Sequence, residues 1–261
     1  ILSGRTALYT NIGFNSPVTF VKELENALSV HNKQLYDSFQ SSRKKIEGLF
    51  SISLEENFLS WRSGEFAITQ SEPGLLGREP ELVLAIRAKS IKDARENMEL
   101  IEKKVKRRTP VKIKTVNYKD FEINYVEMKG FFRLFFGKLF DKFEKPYYTY
   151  VDDYVVFSNS PSTLAEMIKE YVLGNTLANN EKHMRLKGQL GSRKNVFGYV
   201  QTPNTYEFLY DAFKADTRAG LEKNKGAFLS FETIGFSLSK EGGVFETQII
   251  ANYNDKAPEE Y

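Results

Sequence analysis

At 261 residues the chain is long enough to bury roughly three quarters of the surface it exposes when unfolded, so a sizeable core is expected. Its 37 Lys and Arg against 34 Asp and Glu leave a net +3, which excludes both an acidic solvating chain and a histone-like basic one. With no Cys, disulfides, thiolate catalysis and Cys-rich zinc sites are impossible, and 41% apolar residues against 17 Gly and 8 Pro exclude low complexity.

The chain opens at Ile1 without an initiator Met or a signal peptide, so a mature product or an excised part of something longer is expected. After a first strand-like run, Ser16-Pro17 reads as N-cap and first helical residue, with Phe20, Val21, Leu24 and Leu28 on one face. A second amphipathic stretch follows from Gln34 to Ile46. Phe66 to Thr69 and Leu82 to Ala88 have strand character, and Leu82 to Ile86, the longest apolar run, falls far short of the roughly 20 residues that span a bilayer. Ser90 and Asp93 form a capping box ahead of the stripe Ile91, Ala94, Met98, Ile101 and Val105. Val111 to Val116 and Phe121 to Met128 flank Asn117 to Asp120, and Tyr147 to Val151 and Tyr154 to Ser158 flank Asp152-Asp153. Both pairs predict hairpins.

Ser160-Pro161 opens another helix, with Leu164, Met167, Ile168, Tyr171 and Val172 at helical spacing and Gly174 as its stop. Val196 to Gln201 predicts a strand that runs into a third opening of the same kind, Thr202-Pro203. Phe228 to Ser239 and Val244 to Asn252 flank the loop Lys240-Glu241-Gly242-Gly243. Hairpin-joined strands imply antiparallel pairing, so the predicted class is α+β, mainly antiparallel sheet with helices packed on one face. No linker composition is visible. The expectation is one domain over residues 1–253 with a polar tail at 254–261, and a loose symmetry hints at duplication, with halves near 1–128 and 129–253.

Catalytic constellations are scarce. His31 and His183 lie far apart without metal-ligand spacing, and each reads as a surface or helix-end residue. There is no GxSxG elbow and no dinucleotide fingerprint, and the run Gly188 to Lys194 fails as a phosphate loop because its glycines are too close. No catalytic, metal-binding or cofactor-binding residue is assigned, and no cofactor is expected. Asp152-Asp153 reads as a turn. Glu65, beside the only Trp, Trp61, and at the entrance to a strand, is expected either half-buried and paired or lining a pocket. Lys103, Lys104, Lys106, Arg107, Arg108, Lys112 and Lys114 read as a solvated helix end complementing the macrodipole. The least ordinary segment runs from Phe131 to Phe143. Wound as a helix it would gather aromatics on one half and basic groups on the other, making Phe131, Phe132, Arg133, Phe135, Phe136, Lys138, Phe140 and Lys142 candidates for contact with a partner or membrane.

Several runs together carry a family resemblance: Arg108-Thr109-Pro110-Val111-Lys112, Lys129-Gly130-Phe131-Phe132, Phe136-Gly137-Lys138-Leu139-Phe140, Lys145-Pro146-Tyr147-Tyr148-Thr149 and Asp152-Asp153-Tyr154-Val155-Val156-Phe157-Ser158-Asn159. The stretches Gly174-Asn175-Thr176-Leu177, Asn195-Val196-Phe197, Thr202-Pro203 and Glu65-Phe66-Ala67-Ile68 add to it. In these the chain resembles the Bacteroidetes proteins grouped as domain of unknown function 3352, over nearly its whole length, as the C-terminal half of a longer member. The resemblance implies a membrane anchor or signal ahead of the fragment and a life on the periplasmic side of the cell envelope. It brings no functional residues with it.

The expected function is therefore a non-catalytic envelope module, membrane-tethered through a segment absent from this sequence, that binds another envelope protein or complex and not nucleic acid. Two alternatives accompany it: a carrier or sensor of an apolar ligand, and a carboxylate hydrolase built on Glu65.

Overall fold

Local capping chemistry sets where the helices begin. Ser16 is extended and its Oγ accepts a hydrogen bond from the Thr19 N–H, so α1 (Pro17–His31) starts at the predicted proline. Asn32 caps α2 (Lys33–Phe50) by accepting from Leu35, and Ser90 caps α3 (Ile91–Arg108) by accepting from Asp93. The computed structural model describes residues 1–71, 81–108, 114–125, 147–191, 195–212 and 215–254, with backbone only at 114, 207–209, 211, 212 and 215. Its strands are β1 (Thr6–Gly13), β2 (Arg62–Ser71), β3 (Glu81–Ala88), β4 (Lys114–Tyr118), β5 (Phe121–Tyr125), β6 (Tyr147–Val151), β7 (Tyr154–Ser158), β8 (Val196–Gln201), β9 (Phe231–Glu241) and β10 (Val244–Tyr253). The later helices are α4 (Pro161–Val172), α5 (Glu181–Gln189), α6 (Thr202–Ala212), α7 (Ala215–Lys223) and α8 (Lys225–Leu229). The class is α+β with antiparallel strand pairing.

The chain divides into two compact units, each assembled from separated segments. One holds Phe14–Phe66 and Val83–Ala165, the other Ile1–Gly13, Ala67–Leu82 and Glu166–Tyr261.

In the first unit, β3, β7, β6, β5 and β4 lie side by side. Leu84, Phe157 and Tyr148 form one cross-strand row, and Ala85, Val156 and Thr149 form the next, pointing the opposite way. All six are at most 2% exposed, so β3, β7 and β6 are buried on both faces here, whereas β4 is exposed from Thr115 to Asn117. Continuous apolar strands such as Leu82 to Ile86 are what burial on both faces requires. The helix α3 lies over the Tyr148 row through Ala94, Met98, Ile101 and Val105, all buried. A short π-helical turn, Leu54–Leu59, adds Leu54, Phe58 and Leu59 to the core beside Trp61, whose Nε1 donates to the Asn57 carbonyl.

In the second unit, β10, β9, β8 and β1 are neighbours, all antiparallel. The core under this sheet is formed by Leu177, Leu186, Leu190, Phe197 and Tyr199.

Several predicted boundaries move. The loop between β4 and β5 narrows to Lys119-Asp120, with Lys119 at a φ of 53°, because Asn117 and Tyr118 pair with Glu122 and Phe121. The last hairpin turns on Gly242-Gly243 alone, both at positive φ, while Glu241 pairs with Val244. The strand predicted from Phe228 starts at Phe231, because Lys225–Leu229 winds into α8, with the Phe228 ring 5.8 Å from Tyr206 and Leu229 buried. On α4 the buried stripe ends at Ile168, and Val172, predicted on it, is exposed. On α1, Leu24 is likewise exposed. The predicted strands Val111–Val116 and Phe121–Met128 are described only from 114 to 125.

Candidate interaction surface

The sheet of the second unit has an inverted pattern. Along β9, Ile234, Phe236 and Leu238 alternate with Thr233, Gly235 and Ser237, and the ordinary expectation sends the large apolar set inward. The structure does the opposite. Thr233, Gly235 and Ser237 are the buried set, while Phe236 is exposed and Ile234 and Leu238 are half-buried.

The cause is the close seat of α5. A Cβ on Gly235 would lie 2.7 Å from the Leu186 Cδ2 and 2.8 Å from the Leu190 Cδ1, so only a residue without a side chain lets the two leucines reach the sheet. The same face carries Tyr9, Phe197 and Tyr199, whose rings stand edge-on around the buried His183 at 5.7, 5.8 and 5.2 Å between centroids. Of the two readings from the sequence, surface or helix end, His183 takes the helix end, and it is buried there. It sits in the first turn of α5, where its backbone N–H donates to the capping Asn180 Oδ1. Burial and the charge of Glu232 push the Tyr199 hydroxyl up. Glu232 also ties α5 to β9 by accepting from both Arg185 and Lys182.

On the other face the strands build rows of apolar side chains. Phe236 lies beside Gly198 on β8 and Ile249 on β10, its ring 3.7 Å from where a Cβ on Gly198 would be. The adjacent rows are Leu8, Val200, Ile234 and Ala251, and Ile12, Val196, Leu238 and Thr247. None of these rows holds a charge. Exposure rises towards β10, where Phe245 is 65% and Ile249 71% exposed, and the Lys240 ammonium sits over the Phe245 ring at 5.3 Å. Adjoining exposed apolar side chains of this kind form the sort of surface that contact with another molecule would bury.

Among the described residues, those singled out from the sequence do not converge. Glu65 takes the paired option: its carboxylate accepts from Arg87 at 3.4 Å, and Tyr154 beside it is raised first by burial and then by the Glu65 charge. Asp152-Asp153 forms the two-residue turn of the β6–β7 hairpin, with Asp152 at a φ of 50°, and the Asp153 carbonyl accepts from Ala88 N–H at 2.7 Å. His31 is exposed at the end of α1. In the basic helix end, Lys104 donates to the Ser51 carbonyl and Arg108 to the Ser51 Oγ, securing the left-handed residue that closes α2, while Lys112 lies outside the described residues. The aromatic segment Phe131, Phe132, Arg133, Phe135, Phe136, Lys138, Phe140 and Lys142 also lies outside them.

Two buried polar groups were not foreseen. Under α3, the Tyr148 hydroxyl donates to Glu102; burial raises the Glu102 carboxyl above its ordinary range despite that bond, and burial with the charge of Glu102 pushes the Tyr148 hydroxyl far up. Arg62 is buried with its guanidinium 4.7 Å from the Phe58 ring centroid, and desolvation lowers it to about 9. Among the described residues no group of three or more His, Asp or Glu side chains could hold a metal ion, and no helix is long and apolar enough to cross a membrane.

The family model described as Protein of unknown function (DUF3352) matches residues 9–241. Among solved structures, TP0453 in its crystal form III is similar at a TM-score of 0.42 and 10% identity, over 96% of this chain and 77% of that one. No curated protein matches the sequence.

Proposed function

The chain belongs to the family described as protein of unknown function (DUF3352), and from that membership we propose a non-catalytic cell-envelope module that acts by binding another envelope protein or complex. The reading includes a membrane tether outside these 261 residues, a periplasmic setting, and an origin in Bacteroidetes as the C-terminal half of a longer member; family resemblance supports these parts. The binding role rests on one observation: β9 turns Ile234, Phe236 and Leu238 away from the helices and its small residues towards them. That arrangement gives up core volume in its own unit and leaves exposed apolar surface that a bound molecule would bury.

Capture from native membranes tests it. Cross-linked complexes recovered with the wild-type chain are expected to be lost with Phe236→Glu and retained with Val30→Glu, a substitution on more accessible but unrelated surface of α1. Equal recovery with both variants would refute the assignment of the face. Fractionation of cells tests the envelope setting separately.

A further inference from the structure

The edge of the second unit's sheet carries an inference of its own. The strand β10 lies at the end of the strand order, and on its far side no described strand pairs with it. Exposed edges are commonly protected by Pro, by Lys, by brevity or by a bulge. Here Val244-Phe245-Glu246-Thr247-Gln248-Ile249-Ile250-Ala251-Asn252-Tyr253 has ten residues, neither Pro nor Lys, and a single charge. The irregularity at Asn252/Tyr253 arises because Glu232 on β9 is passed over, so the extra residue belongs to β9 and the free edge of β10 stays regular. Of the six most exposed large apolar side chains among the described residues, four are on this strand: Val244, Phe245, Ile249 and Tyr253.

We infer that β10 is the contact between two copies of this chain, which pair edge to edge, antiparallel, about a two-fold axis at Ile249. A two-fold contact must be self-complementary, and the strand meets that demand. Centring on Ile249 sets Ile249 against its own copy, Phe245 against Tyr253 and Thr247 against Ala251 on one face. On the other face it sets Glu246 against Asn252 and Gln248 against Ile250. The lone acid of each copy therefore never meets its equivalent, and the largest apolar side chains meet each other. Moving the axis to Gln248 would set Phe245 against Ala251 and Glu246 against Ile250, losing both matches. A ten-residue edge extends about 34 Å and gives less area than the roughly 800 Å² per partner of a standard interface. The dimer is accordingly weak, with a dissociation constant on the order of tens of micromolar.

Sedimentation of the whole chain from about 1 to about 300 μM is expected to show a reversible monomer–dimer equilibrium. Because the chain has no Cys of its own, single cysteines report the geometry cleanly. With a short bis-maleimide, Ile249→Cys is expected to cross-link at least about tenfold faster than Val30→Cys, and mixed Phe245→Cys and Tyr253→Cys chains faster than either alone. Val30 is as exposed as Ile249, at 71%, so bare accessibility is controlled. A chain that stays monomeric throughout, including one whose edge takes a strand from another protein instead, overturns the inference. A dimer in which Ile249→Cys cross-links no faster than Val30→Cys overturns it too, because the contact then lies elsewhere.

Discussion

Tyr148 and Tyr199 are both buried strand tyrosines facing a helix, yet what lies behind them differs. Behind Tyr148, the neighbouring strand position Thr149 and its row partners Ala85 and Val156 are as buried as the tyrosine itself. Behind Tyr199, Gly198 leads across its row to Phe236 and Ile249, which are exposed. The central strands of one unit spend their apolar residues on that unit's own stability; those of the other hold some back. That division predicts where substitutions hurt, and it separates residues that maintain the fold from residues free to serve a contact.

Gly64→Ala should have the largest effect. A Cβ there would stand 1.6 Å from the Phe14 carbonyl oxygen, a backbone atom fixed by the Phe14 N–H bond to the Gly64 carbonyl at 2.7 Å. Neither side can yield, so stability is expected to fall by about 4 kcal/mol or more, read as loss of the cooperative urea transition.

Next comes a paired comparison. Phe157→Ala, in a strand buried on both faces, should cost about 4 kcal/mol, whereas Phe236→Ala should cost about 1 kcal/mol or less. Similar losses from the two would break the contrast between the strands of the two units.

The smallest effect is electrostatic. The Glu102 carboxyl is raised above its ordinary 4.5 in the folded chain, so the folded state holds this proton more tightly than the unfolded state does. Its contribution is complete below that ordinary value and is lost as pH rises through the higher folded one. Glu102→Gln keeps an acceptor for the Tyr148 hydroxyl and removes the ionisation. It should flatten this part of the pH–stability curve and raise stability at neutral pH, by less than about 1 kcal/mol because the group is partly solvated. Urea midpoints at pH 4 to 8 in both proteins would show it; a variant less stable at neutral pH would contradict the assignment.

What sequence could reveal was local. Ser16, Ser90, Asp152 and Gly242-Gly243 act on backbone groups within a few residues of themselves, so caps and turns were readable. The start of β9 was not, because Ala227-Phe228-Leu229 has strand-like composition and is held helical by packing against Tyr206. Asn180, followed by His183 and Leu186 at helical spacing, carried a signal for α5 that went unused. The outward face of β9 could not be read at all from alternation, since Phe236 and Leu238 are its natural inward set. Its one clue was Gly235, whose bare backbone makes room for Leu186 and Leu190. The two units left no linker signature, because each gathers chain segments that are distant in sequence.

Hydroxyl-radical footprinting of the folded chain, alone and in its captured complex, tests the central claim most directly. Phe236, Phe245 and Ile249 should oxidise readily in the free chain and become protected in the complex, while Phe157 and Tyr148 stay protected in both. Finding Phe236 and Ile249 as unreactive as Phe157 in the free chain would contradict the account.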